Sequence, residues 1–126
     1  MPRITGFSMR GADRVLEINR VGGEAVRFNV CHPRSGEGSV ADVASQELAG
    51  LIEKVKAGGS VELGATVPNM MVQLAPSDFF SSQFRPGFLS VWVRPVELDS
   101  TRRGGEGWFI NVPIGELDVV FQEITR

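Results

Sequence analysis

The sequence has little of what most small catalytic or metal sites need. Cys31 is the only cysteine and His32 the only histidine in 126 residues. A single cysteine excludes an intramolecular disulfide, and with a single histidine it leaves no framework for a zinc site. No apolar run approaches membrane-spanning length, and the first residues lack the apolar core of a signal peptide. We therefore expect a cytoplasmic protein with no metal, no cofactor and no membrane anchor.

Motifs of the common enzyme classes are missing as well. The run Gly104-Gly105-Glu106-Gly107 is not followed by Lys-Ser/Thr, and the element predicted after it is a strand, so it does not fit a phosphate loop. No G-x-S-x-G or protein-kinase motif is present. Cys31 and His32 are neighbours on a predicted strand, where successive side chains point to opposite faces. The sequence thus predicts a protein that is not an enzyme, with an ordinary cysteine and a structural histidine.

The charge is low overall but uneven along the chain. The net charge is −2; residues 1–34 carry six arginines against three acidic residues, whereas residues 35–62 carry five acidic residues against two lysines. Nucleic-acid-binding domains usually show a basic face or stripe, and neither is visible here. The distribution favours a protein partner over nucleic acid.

Apolar alternation is the main structural signal that the sequence does contain. With 42% apolar and 22% charged residues, the chain has ordinary globular composition, and its length suits one domain over residues 1–126. Period-two alternation predicts strands. They are a hairpin over 13–32 that turns at 21–24, two arms over 61–67 and 70–74, strands over 88–98 and 108–112, and a short strand near 5–9.

Residues 40–55 are predicted to form one long helix. Ser39 resembles an N-cap with Asp42 three residues later, apolar residues follow at helical spacing, and Gly58-Gly59 supplies a stop. A short helix is predicted after Pro113, with a strand over residues 117–124 as the alternative. Strands joined by tight turns are antiparallel, so the expected fold is α+β. It has an antiparallel sheet of six to seven strands in one or two layers, one long helix and a short C-terminal helix.

The most unusual segment is 77–87, in which three phenylalanines lie in a connection otherwise rich in Ser, Asp, Pro and Gly. One interpretation is that Phe79, Phe80 and Phe84 fold back and plug one end of the core. The other is an exposed apolar patch rimmed by Asp78 and Arg85, which is typical of a protein-interaction site.

A second candidate contact is the pair Arg102 and Arg103, which lies in the predicted loop 99–107 beside Trp108. The alternative for this pair is a solvated loop tip. We predict that the partner-binding surface lies on these two loops, with 77–87 as the main contact.

From about residue 24 onward, the order and spacing of the elements resemble those of small bacterial immunity proteins that neutralise polymorphic or contact-dependent toxins. The resembling residues are Val26-Arg27-Phe28-Asn29-Val30, the helix Val40–Val55 with its Gly58-Gly59 stop, Val61-Glu62-Leu63, Leu89-Ser90-Val91-Trp92-Val93, Trp108-Phe109-Ile110 and Pro113-Ile114-Gly115-Glu116-Leu117. The resemblance implies a non-enzymatic cytosolic binder that docks on a toxin's active site or exosite. It assigns no functional residue.

Three functions follow, in order of preference. The first is a protein-binding inhibitor, most concretely an immunity protein for a cognate toxin; a phage-encoded inhibitor of a host defence system has the same composition. The second is a single-stranded nucleic-acid-binding sheet that uses Trp92, Trp108 and Phe109 with the N-terminal arginines. The third is an enzyme or small-ligand domain built on His32 and Cys31 near a strand end.

Overall fold

The computed structural model describes residues 3–7, 13–57, 59–64, 70–76, 87–96 and 108–124. These residues form eight strands, one 3-10 turn and two α-helices. In chain order they are β1 (Arg3–Phe7), β2 (Asp13–Val21), β3 (Ala25–Cys31), β4 (Gly38–Ala44), the 3-10 turn (Ser45–Leu48), α1 (Leu51–Lys56), β5 (Val61–Gly64), β6 (Met70–Pro76), β7 (Phe88–Pro95), β8 (Trp108–Pro113) and α2 (Ile114–Ile124).

All eight strands belong to one antiparallel sheet. Their order is β4-β3-β2-β1-β8-β7-β6-β5, so two four-stranded meanders meet where β1 lies beside β8. The sheet curls until β4, one of its edges, comes close to β6 and β7. The protein is therefore mostly β, with a sheet nearly closed into a barrel.

Most predicted strands are confirmed. The hairpin over 13–32 is β2 and β3, paired from Val15↔Cys31 to Val21↔Ala25. The arms at 61 and 70 are β5 and β6, the strand from Phe88 is β7, and Trp108 begins β8. The helix after Pro113 is α2. The strand count exceeds the prediction because β4 was expected to be helical.

The long helix predicted over 40–55 is wrong. Residues 38–44 form β4, which pairs with β3 from Ala25↔Ala44 to Cys31↔Gly38, and the predicted cap Ser39 lies within this strand. Only Leu51–Lys56 is α-helical, and it begins after Gly50, whose φ of 70° is left-handed. Ala41 and Val43 are buried while Val40 is 45% exposed, which is strand alternation. Pairing with β3 overrides the helical spacing, which short apolar runs cannot distinguish.

One apolar core lies inside the curled sheet. Every strand contributes alternate residues, such as Leu16, Phe28 and Val91, and the segment that follows β4 adds Leu48 and Leu51. Helix α2 packs against the same core, where Phe121 meets Phe28 edge to face at a centroid distance of 6.0 Å. One core cluster contains both residues of the segment predicted as a helix and residues of the sheet: Val43, Leu48, Leu51, Ile52, Val55, Val26, Phe28, Val91 and Val93.

The seam between β1 and β8 requires a glycine. A Cβ atom on Gly6 would overlap the Asn111 carbonyl oxygen and lie 2.6 Å from Cγ1 of Ile110. Only a residue without a side chain lets the two strands approach this closely. Within the described parts of the chain, no helix is long and apolar enough to cross a membrane.

Candidate functional site

The loop residues predicted to bind a partner lie outside the described residues. These are Asp78, Phe79, Phe80, Phe84, Arg85, Arg102 and Arg103. The described residues begin again at Gly87, which turns with a φ of 83° into β7. The assignment of a binding surface to 77–87 and 99–107 stays a prediction.

His32 acts as a turn residue at the end of β3. Its Nδ1 accepts hydrogen bonds from the backbone N–H groups of Arg34 and Ser35 at 3.2 and 3.4 Å. Its own backbone N–H donates to the Glu37 carbonyl oxygen at 2.8 Å, and its carbonyl accepts from Gly36. One ring nitrogen is thereby committed to holding the β3–β4 connection, a structural role of the kind the sequence favoured.

Cys31 is held as a neutral thiol. Its side chain is 5% exposed and its Sγ donates to Oε1 of Glu17 at 3.6 Å. Burial raises the pKa of this thiol, and the hydrogen bond and charge of Glu17 raise it further. Since the thiolate is the nucleophile, this environment suppresses reactivity. Across the described ranges, no three His, Cys, Asp or Glu side chains are grouped so as to hold a metal ion.

Aromatic and arginine side chains converge on β7 and β8. Trp92 and Phe109 face each other as cross-strand partners, and Trp108 precedes Phe109 at the start of β8. Arg94 lies over Trp92 at 5.2 Å from the ring centroid. We call Arg14, Trp92, Arg94, Trp108 and Phe109 the Trp–Arg cluster; all five residues are partly buried.

Arg14 joins two distant parts of the chain in this cluster. Its guanidinium lies 4.4 Å from the centroid of Trp108 and 5.7 Å from that of Phe109. One of its terminal nitrogens donates to the Phe109 carbonyl oxygen at 2.7 Å. A planar guanidinium that stacks and donates at once holds a fixed position, which Lys would not reproduce.

A polar network fixes Arg94. Its Nε donates to Oε1 of Gln73 at 3.1 Å, and the Gln73 amide donates to Oγ of Ser60 at 2.8 Å. Another nitrogen of Arg94 lies 3.8 Å from Oε1 of Glu62, and a further one donates to the Pro95 carbonyl. The Arg94 side chain is only 11% exposed, so these contacts hold the guanidinium against Trp92.

Buried polar groups lie on the face of the sheet that carries Trp92 and Phe109. Ser90 is fully buried and donates to the Asn111 side-chain oxygen, and the Asn111 amide reaches the Phe7 carbonyl at 3.4 Å. This chain of hydrogen bonds ties β7, β8 and β1 together. The cluster therefore lies on a part of the sheet in which side-chain hydrogen bonds join the neighbouring strands.

Comparison with protein-family models, with curated proteins and with solved structures finds no match to this chain.

The sequence alone predicts part of the cluster. It groups Trp92, Trp108 and Phe109 as a stacking platform. Arg14 is one of the N-terminal arginines predicted to accompany these rings, but its individual contact depends on strand order, and Arg94 is not predicted as a member. The alternation of β7 already placed Trp92 and Arg94 on one face, and that signal alone could have paired them.

Proposed function

We propose that the protein is a non-enzymatic inhibitor that binds another protein, most concretely an immunity protein for a cognate toxin. The observation that carries the proposal is the Trp–Arg cluster. Tryptophan and arginine are enriched among the residues that dominate protein–protein binding energy, and the cluster contains two Arg–Trp pairs: Arg94 lies over Trp92, and Arg14 lies over Trp108, whose ring packs against the core.

The cluster is suited to binding because it is held in place before any partner arrives. Arg94 is fixed by Gln73, Glu62 and the Pro95 carbonyl, and Arg14 by the Phe109 carbonyl. Side chains that are already ordered lose less rotamer freedom on binding, so more of the contact energy appears as affinity.

Single-stranded nucleic acid is the alternative partner class. Base stacking needs accessible ring faces beside basic groups that are available to phosphate. Here guanidinium groups lie over Trp92 and Trp108, and Arg94 has Glu62 beside it. These contacts compete with stacking and with phosphate binding, and the net charge of −2 opposes both. They favour a protein partner.

The test combines partner identification with growth protection. The tagged full chain is expressed in its native host, and the captured protein is identified and expressed in a laboratory strain. If the proposal holds, that protein arrests growth alone and co-expression with this chain restores growth. A captured protein belonging to a defence system, whose activity the chain blocks, supports the phage-inhibitor form instead.

Variants link the effect to the cluster. Arg94→Lys keeps the charge but loses the planar stack on Trp92, and we expect about 30-fold weaker partner binding, the loss typical of a hot-spot residue. Arg27→Lys is the matched control, because Arg27 is exposed on β3 and pairs with Asp42. Equal binding by both variants, with unchanged folding, contradicts the assignment to the cluster. Salt-dependent binding of oligothymidine together with no growth protection supports the nucleic-acid alternative.

A further inference from the structure

Strand β1 extends past the end of β8. β1 pairs with β2 along all five of its residues, whereas within the described residues it pairs with β8 only at Phe7↔Asn111. Continued in the same register, Thr5 would face Pro113, where β8 ends and α2 begins. Proline has no N–H to donate and closes the ladder there. Among the described residues, the edge of β1 from Arg3 to Thr5 is thus left open beyond β8, whereas Gly6 is still covered by β8.

A groove of about 490 Å³ runs along this open edge. One wall is β1 itself, and the other is formed by Phe88, Pro113 and Glu116. The second wall is firmly held, since Phe88 pairs with Pro113 and the Ile114 N–H donates to the Gly87 carbonyl at 2.9 Å. At one end the rings of Phe7 and Phe88 meet with centroids 5.5 Å apart.

We propose that this groove binds an extended segment of the partner protein, which adds to β1 as one further short strand. The inference deepens the proposed function, on which it rests for the existence of a protein partner. Three open residues at about 3.3 Å each give an edge of roughly 10 Å, enough for a short strand. Main-chain hydrogen bonds supply affinity in this mode of recognition, and side chains at alternate positions supply specificity.

The walls of the groove define the side chains of that segment. An apolar side chain fits over Phe7 and Phe88. Four residues along, Arg3 on one wall and Glu116 on the other offer opposite charges. A neutral amide satisfies both, because its oxygen accepts from the guanidinium and its NH₂ donates to the carboxylate. The predicted segment therefore carries Gln and Leu four residues apart.

The probes are two synthetic pentapeptides, acetyl-Gln-Ser-Thr-Ser-Leu-amide and its reversed sequence, which cover the two strand directions. Each is titrated into the isotopically labelled full chain and followed by the backbone amide signals. We expect one of them to shift the signals of Arg3–Phe7 and of Phe88. The same peptide with N-methylated backbone amides keeps every side chain but loses its donors, and we expect about tenfold weaker binding.

Charge variants test whether Glu116 helps the groove to recognise the Gln side chain of the peptide. Glu116→Lys places two cations across the groove, so we expect a peptide with Glu in place of Gln to bind it several-fold more tightly than the original peptide. Glu123→Lys is the control, because Glu123 is exposed at the other end of α2 and should leave the preference unchanged. Circular dichroism confirms that both variants remain folded.

Several results overturn the inference. They are the absence of shifts at millimolar peptide, shifts that are unaffected by N-methylation, and no change of preference in Glu116→Lys. Concentration-dependent dimerisation that protects the amides of β1 would assign the edge to a second copy instead. Growth protection without peptide binding refutes this inference and leaves the proposed function standing. Peptide binding by a chain that gives no growth protection supports the groove as a peptide site and refutes the proposed function.

Discussion

Replacing Gly38 with alanine tests the strand assignment of residues 38–44. A Cβ atom on Gly38 would overlap the Val30 carbonyl oxygen and lie 2.6 Å from Cα and 2.7 Å from Cβ of Cys31. Two of these contacts are with backbone, which cannot rotate away, so β4 must move from β3 at its first pair, Cys31↔Gly38. Such overpacking costs about 1–3 kcal/mol.

Urea unfolding at 25 °C, followed by fluorescence of Trp92 and Trp108, measures the change. Gly64→Ala is the control: Gly64 also lies in a strand, but an added Cβ would meet nothing within 4 Å. We expect Gly38→Ala to unfold at lower urea with an unchanged slope, and Gly64→Ala to match or exceed the wild type. If Gly38 lay in a solvated loop before a helix, alanine would be neutral. A change below about 0.5 kcal/mol in Gly38→Ala would therefore refute the close β3–β4 pairing.

Three further predictions concern the core, the thiol and the phenylalanine segment. Leu51→Ala, at a side chain only 1% exposed, should lower the free energy of unfolding by about 2–5 kcal/mol in urea; a value below about 0.5 kcal/mol would mean that α1 does not pack on the sheet. Cys31→Ser should keep partner binding. Because the folded-state pKa of Cys31 is raised, its stabilising effect is present below the ordinary thiol pKa of about 8.5 and is lost above it. Wild-type stability should therefore fall more steeply than that of Cys31→Ser as the pH rises through that region, and parallel pH profiles would contradict this. Phe80→Ala combined with Phe84→Ala should abolish partner capture while the melting temperature holds; a collapse of stability would make these rings a core plug.

Much of the sheet follows from the sequence, because its signals are local. Strands β2, β3, β5 and β6 alternate over four or more residues, and the Gly22-Gly23 turn separates the first two. Strand β4 is not predicted by such local signals. Val40 and Val43 are three apart, and Leu48 and Leu51 continue that spacing, so the run satisfies helical periodicity. Its first half nevertheless pairs with β3 as a strand.

The candidate site shows a different limit. The Trp and Phe members of the cluster are close in sequence to strand signals and were found from them. Arg14 binds the carbonyl of a residue 95 positions away, and the alternation of β2 says only which face Arg14 occupies. To predict that contact, one must know that β1 and β8 are neighbours in the sheet, and no local sequence pattern encodes this.

The meeting of β1 with β8 also has a consequence for synthesis. Phe7 and its partner Asn111 are 104 residues apart, whereas every other pair of neighbouring strands is consecutive in the chain. At a ribosomal rate of about 5–20 residues per second, roughly 5–20 seconds separate the appearance of the two strands. Strands β1 to β4 can pair as they emerge, but the β8 side of β1 has no partner during that interval, and closing so long a loop is entropically costly. Aggregation during translation should therefore concentrate on nascent chains that end before residue 108, and ribosome-bound truncations there are the species on which a holding chaperone would act.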